Sequence, residues 1–223
     1  MILLWSVFAL AAEPYEHTFP SGEKALDLSA TKGTLTLRTG GSAITIKGTH
    51  EGETSMCHLD TSTDHGASAA YRENGSSSIP RDCLTDMMVT VPAGTGVHVK
   101  LGQGTLDVQL DGSLQGEIGQ GDIKGQVSGT IHLQVGQGNV VLAGLKSATE
   151  VKVSQGNAAL VFDSAPDGTI LVTVGQGGVY IDLPEGTEVD ARVPASVNIP
   201  HTQKTSSPTK LMIGPTQGEV LVE

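Results

Sequence analysis

The chain has 223 residues, a formal net charge of −11, 29 Gly and only three Phe, three Tyr and one Trp. Such a chain turns often and draws its core from aliphatic residues, unlike an ordinary globular domain, and its length suits one domain of about ten repeats of some twenty residues each. No cluster of Lys and Arg occurs in it, which argues against a nucleic-acid groove or attachment to anionic lipid.

Residues 1–11, Met1 to Ala11, form an apolar run too short to span a bilayer. The run ends in Ala9-Leu10-Ala11, the small-residue cleavage pattern of a secretory signal, although the usual basic n-region is missing. Export to the periplasm, the cell surface or the medium is the expectation; a buried strand or an uncleaved anchor is the alternative. No later segment is long enough to be a transmembrane helix, and residues 12–223 read as a single domain.

From about residue 24 the chain alternates. Leu26, Leu28 and Ala30 precede Lys32-Gly33, and Leu35 and Leu37 follow it. Side chains at i, i+2 and i+4 share one face of a strand, so these are two short strands joined by a corner. Ile44 and Ile46 begin another strand. Between about residues 50 and 86 the pattern is interrupted, and it resumes at Met87-Met88-Val89.

The interruption contains both cysteines, Cys57 and Cys83. Neither has a neighbour that would make a metal-binding spacing. In an oxidising compartment a disulfide follows, and in a reducing one two buried thiols. His58, Asp60, Asp64, His65, Glu73 and Asp82 lie here too and include ordinary ligands for a divalent cation. Gly66, Gly75 and Ser76-Ser77-Ser78 point instead to a solvated loop. Asn74-Gly75-Ser76 also matches a glycosylation sequon.

The clearest pattern follows. Gln103-Gly104, Gln120-Gly121, Gln137-Gly138, Gln155-Gly156, Gln176-Gly177 and Gln217-Gly218 recur at Gln spacings of 17, 17, 18, 21 and 41, the last close to two repeats. Before successive Gln residues stand Val97, Val99 and Leu101; Leu114, Gly116 and Ile118; Ile131, Leu133 and Val135; Thr149, Val151 and Val153; and Ile170, Val172 and Val174. After them stand pairs such as Leu106 and Val108, Val140 and Leu142, and Val179 and Ile181. A Gly after each Gln lets the chain take a positive φ at the corner. The Gln column itself can form an amide ladder, a structural role, or meet sugar hydroxyls or another protein.

Repeats this short cannot bury their own apolar faces, so they must stack on one another. The expectation is an all-β fold, a single-stranded β-helix (β-solenoid) of about 17–21 residues per turn, of either hand. Residues 184–210 are irregular, with a strand expected at 189–197. Leu211, Ile213, Val220 and Val222 then return to the register as a closing turn.

Corners such as Gly119-Gln120-Gly121-Asp122-Ile123 and Gly136-Gln137-Gly138-Asn139-Val140, together with the final Gln217-Gly218-Glu219-Val220-Leu221-Val222, resemble those of a widespread bacterial family known as "putative adhesins". The resemblance covers roughly residues 24 to 223. It implies a single-stranded β-helix in an exported or membrane-tethered protein, and adhesion, but it brings no catalytic residues.

The outward positions, among them His98, Lys100, Asp107, Gln115, Glu117, Lys124, His132, Gln134 and Lys152, mix acid, base and amide from repeat to repeat. His98 and His132 share a column two repeats apart, about 10 Å by strand spacing, too far to share a metal or a proton. Asp122 is the one aspartate directly after a Gln-Gly pair, which does not make a calcium-binding roll. The reading is a non-enzymatic exported scaffold of structural or adhesion type. It has no cofactor, metal or catalytic residue, and a protein or polysaccharide partner on a β-face. The alternative is a carbohydrate-active β-helix enzyme, a lyase or hydrolase, which needs acidic or basic groups converging on one face.

Overall fold

A computed structural model describes residues 13–51, 57–64, 66–73, 83–194, 197–214 and 216–223. The N-terminal run 1–11, the Asn74-Gly75-Ser76 sequon, His65 and Asp82 lie outside the described residues, as does the side chain of Glu73.

Every regular element among the described residues is a β-strand. The first part of the chain gives β1 (Glu13–Thr18), β2 (Ala25–Thr39), β3 (Thr45–Glu51), β4 (Cys57–Ser62), β5 (Ala67–Glu73) and β6 (Leu84–Val91). The repeats give β7 (Gly96–Leu110), β8 (Leu114–Gln120), β9 (Ile123–Val127), β10 (Ile131–Gln137), β11 (Val140–Leu145), β12 (Thr149–Gln155), β13 (Ala158–Phe162), β14 (Gly168–Gln176) and β15 (Val179–Asp182). The last part gives β16 (Glu188–Arg192), β17 (Thr202–Gln203), β18 (Thr209–Ile213) and β19 (Val220–Val222).

Pairing follows the repeat. The strands before each corner pair in parallel in the order β2, β7, β8, β10, β12, β14, β18. Those after it run β2, β7, β9, β11, β13, β15, β19. Seven repeats of the described chain are joined in this way, fewer than the length alone suggests. Gln103, Gln120, Gln137, Gln155 and Gln176 lie in one register, with Lys32 beside Gln103.

The inward columns fill a single core. Val99, Leu101, Ile118, Leu133, Val135, Val153 and Val174 are all buried, as the alternation requires. Gly116 occupies one core slot without a side chain, and a Cβ there would lie 2.7 Å from Cδ2 of Leu133, so the leucine of the next repeat occupies that space. Thr149 fills another slot and donates its hydroxyl to the carbonyl of Ser147 at 3.0 Å.

The corner glycines are required on two counts. Gly104, Gly121, Gly138, Gly156 and Gly177 hold φ between 136° and 146°, a region costly to residues with a Cβ. A Cβ on any of them would also collide with the backbone oxygen of the glycine one repeat earlier, from Gly33 onward. Gly218 lacks the positive φ but would still strike Gly177.

Three sequence expectations are corrected. The step of 41 between Gln176 and Gln217 is one repeat, because Ile170 pairs directly with Leu211, and the excess residues form the excursion containing β16 and β17. The strand expected at 189–197 is shorter, spanning Glu188–Arg192, and it pairs in parallel beyond β18. The described part of the cysteine-bounded segment is not a loop, since β4 and β5 pair as an antiparallel hairpin within it, while Gly75 and Ser76-Ser77-Ser78 lie outside the described residues.

That segment closes one end of the stack. β2 pairs directly with β7 on one side, while its other side takes β5 and β6 in parallel. The sheet then continues through antiparallel β3 and β1. Cys57 and Cys83 are joined by a disulfide, with Cα atoms 5.7 Å apart, both cysteines buried. Tyr71, buried in this cap, stacks on Tyr15 with ring centroids 5.9 Å apart. At the other end, Val193, Val197 and Ile199 pack against the core, and the His201 imidazole meets the Glu223 carbonyl at 2.8 Å. The described parts of both stretches that break the repeat in sequence thus lie at the two ends of the order of parallel strands.

Candidate binding face

The strands before the corner turn every second side chain outward, so their parallel pairing arranges these side chains in straight rows at a strand spacing of about 4.8 Å. One row reads Asp27, His98, Gln115, His132, Glu150 and Leu171, and the next Ser29, Lys100, Glu117, Gln134, Lys152 and Thr173. The face they make is continuous across the strands from β2 to β14.

Acidic and basic side chains on this face pair with one another. His98 Nδ1 lies 3.0 Å from Asp27 Oδ1, and His132 Nδ1 lies 3.0 Å from Glu150 Oε2. Lys100 Nζ is 3.5 Å from Glu117, the two residues standing three before Gln103 and Gln120, and Lys152 Nζ is 2.5 Å from Glu150. The hydrogen bond from Lys152 and the nearby His132 hold the Glu150 carboxyl below the usual carboxylate range, against a modest desolvation. The two imidazoles take separate carboxylates, so the structure does not bring His98 and His132 together.

A groove of about 970 Å³ runs along the face beside the corner, lined by Ser29, Lys100, Glu117, Gln134, Lys152 and Ser154. A second depression, of about 590 Å³, lies where the β4–β5 hairpin adjoins β2 and β7, lined by Asp27, Asp60, Ser62, Ser68, His98 and Lys100. His58 Nε2 lies 2.7 Å from Asp60 Oδ1, so the cation reading of this segment meets an imidazole–carboxylate pair. No group of three or more His, Cys, Asp or Glu suited to a metal occurs among the described residues.

The corner carries two ladders. Gln103 donates its amide to Gln120 at 3.0 Å, and Gln120 donates to Gln137 at 3.2 Å. Beside it runs a ladder that sequence reasoning missed. Asp122 Oδ1 accepts both the backbone N–H and the side-chain amide of Asn139, at 2.8 and 3.0 Å. Asn139 Oδ1 does the same for Asn157, at 3.2 and 2.9 Å, and Asn157 Oδ1 accepts the Gly178 N–H at 2.8 Å. The signal was available in the sequence: Asp122, Asn139, Asn157 and Gly178 stand at the same offset after successive Gln residues. Asp122 is therefore the foot of a structural ladder.

On the strands after the corner, Asp107 sits between Arg38 at 2.9 Å and Lys124 at 3.9 Å, again with charge compensated across repeats.

No family model matches the chain, and no curated protein matches it. Among solved structures it is similar to a "putative adhesin" from Bacteroides fragilis, 13% identical, with a TM-score of 0.46 over 95% of this chain and 97% of that one. It is also similar to a "putative cell adhesion protein" from Clostridium sporogenes, 10% identical, with a TM-score of 0.43 over 96% and 100%. A "putative lipid binding protein" from Parabacteroides distasonis is 11% identical, with a TM-score of 0.35 over 94% of each chain.

Proposed function

We propose that the two columns of parallel strands close into one single-stranded β-helix domain, and that it works as an exported, non-enzymatic scaffold binding a protein or polysaccharide partner across the outward face from β2 to β14. The observation that carries this reading is the pairing on that face. Lys100 with Glu117, His98 with Asp27, and His132 and Lys152 with Glu150 are each engaged with a neighbour on the face, whereas catalysis on a glycan calls for acid and base groups held towards one substrate bond. A broad face of paired acids and bases, amides and hydroxyls is suited to many modest contacts. Support for export is the Cys57–Cys83 disulfide, the kind of bond that persists in oxidising compartments.

The test pairs turnover with binding. The protein is incubated with cell-envelope polysaccharides, followed by product analysis and co-sedimentation. The expected result is retention without product, weakened by changing Lys100, Gln134 and Lys152 together to Ala and hardly affected by single changes at His98, Glu117 or His132. Product formation abolished by one of those single changes, with melting unaltered, overturns the reading in favour of an enzyme.

A further inference from the structure

The strands after the corner present a second outward face, and its character changes along the stack. One register row runs Asp107, Lys124, Val141, Ala159, Tyr180 and Leu221. Its first two members are charged and paired. Its last four are apolar or aromatic. Val141 is 53% exposed and Leu221 44%, and they are two of the three large apolar side chains left exposed in the described chain. Half-buried Ala143 and Val161 lie on the same face beside this row. A contiguous apolar strip on an otherwise polar surface marks an interaction site more often than chance exposure does.

The rim of the strip is polar and acidic. The Asp122–Asn139–Asn157 ladder borders one side. Asp182, Glu219 and Glu223 surround the end at Leu221, and none of them forms an ion pair with Lys or Arg among the described residues. The nearest cation of the face, Lys124, is held towards Asp107. Tyr180 donates its hydroxyl to Glu223 at 2.9 Å, fixing the ring beside Leu221. An acidic rim around an aliphatic strip repels anionic lipid and repels the same rim on a second copy. It attracts a partner carrying cations beside aliphatic side chains.

We propose that this strip docks a cationic amphipathic helix of a partner protein, with its apolar side on Val141, Ala159, Tyr180 and Leu221 and its Lys or Arg residues over Asp182, Glu219 and Glu223. Val141 and Leu221 are three strand spacings apart, about 14 Å, which nearly three helical turns cover, and helices laid along apolar grooves are a recurrent mode of recognition. The proposal rests on the scaffold reading but uses the opposite set of strands, so the two fail separately.

The test is a titration of a Leu/Lys amphipathic helical peptide, and of its Leu/Glu counterpart, into the wild-type protein and into Leu221→Lys, Val141→Lys and Glu219→Lys. Circular dichroism confirms that each variant keeps its fold, and all three changes are at exposed positions. The Leu/Lys peptide should bind in a salt-sensitive manner, the Leu/Glu peptide should not, and each substitution should weaken binding by about tenfold, as the loss of a central contact does. Lys100→Ala, on the other face, should bind as wild type does. Equal binding of the two peptides, no binding of the Leu/Lys peptide, or unchanged affinity in folded variants overturns the proposal. Binding to lipid vesicles abolished by Leu221→Lys, or a dimer abolished by it, would overturn it too, by assigning the strip to a membrane or to a second copy.

Discussion

The middle of the stack, from β8 to β15, and the cap built from β1 and β3 to β6 solve the same burial problem by different means. The middle repeats one solution: aliphatic residues inside, parallel pairing at each step, glycine at each corner, amide ladders outside. Each repeat contacts its neighbours, so stability there is a sum of similar local contributions. The cap has only one face to pack against. It uses antiparallel strands, a disulfide and the stacked Tyr15 and Tyr71 instead. Repetition suffices where both neighbours exist, and an end needs irregular chemistry.

The strongest way to break the middle is to remove a core leucine. Leu133 is fully buried and also occupies the space left by Gly116. Leu133→Ala should therefore cost on the order of 2–5 kcal/mol, towards the upper end because no side chain at position 116 can collapse into the void. Chemical denaturation should show this loss with the cap disulfide still formed.

The cap breaks at its cross-link. Cys57 and Cys83 are 26 residues apart in sequence, and by chain entropy a loop of that size contributes roughly 3–4 kcal/mol, less any strain. Reduction, or changing both cysteines to Ser, should lower the melting temperature. Hydrogen exchange should rise first in β4 and β5, with β10 to β13 still protected. Simultaneous loss of protection in both regions would show that the cap and the middle unfold as one unit.

Alkali provides a second, milder probe of the cap. Burial, with a smaller contribution from the neighbouring Tyr15, pushes the Tyr71 hydroxyl up to about 12 from 10.0. A raised folded value means that the contribution is fully present below pH 10 and is lost as pH climbs through about 12. Stability should fall across that window, and Tyr71→Phe should flatten the fall while leaving the core of the middle repeats unaffected.

The same division explains what could be read from the sequence. The alternation of Val97, Val99, Leu101 and their counterparts, tied to a fixed Gln-Gly, gave strands, corner and register together, because parallel stacking demands identical spacing. The cap was less legible. Thr45–Glu51 and the β4–β5 hairpin pair antiparallel with partners set by end closure, which leaves no period in the sequence. The 41-residue step misled for a related reason: an excursion of nearly one repeat length looks like a repeat, although its residues cover the end of the stack. On the binding face, the Lys100–Glu117 and His132–Glu150 pairs are both legible from column alignment, at three and five residues before successive Gln residues.

The smallest effects should separate the two ladders at the corner. Each Gln bond joins only exposed side-chain amides, so Gln120→Ala removes two exposed hydrogen bonds that water replaces. Asn139 is placed differently. Its Oδ1 accepts the backbone N–H of Asn157 as well as the side-chain amide, and its own backbone N–H is held by Asp122. Asn139→Ala therefore leaves a main-chain donor at the corner without its acceptor. Single hydrogen bonds contribute about 0.5–1.5 kcal/mol net, and Asn139→Ala should approach the upper value while Gln120→Ala stays near zero. Asn139→Asp keeps the acceptor but sets a second carboxylate above Asp122, and should be worse than Ala at neutral pH and recover as the acids are protonated. If Gln120→Ala proves the costlier change in thermal melts, the glutamine row is the structural ladder and the Asx row is free to meet a partner.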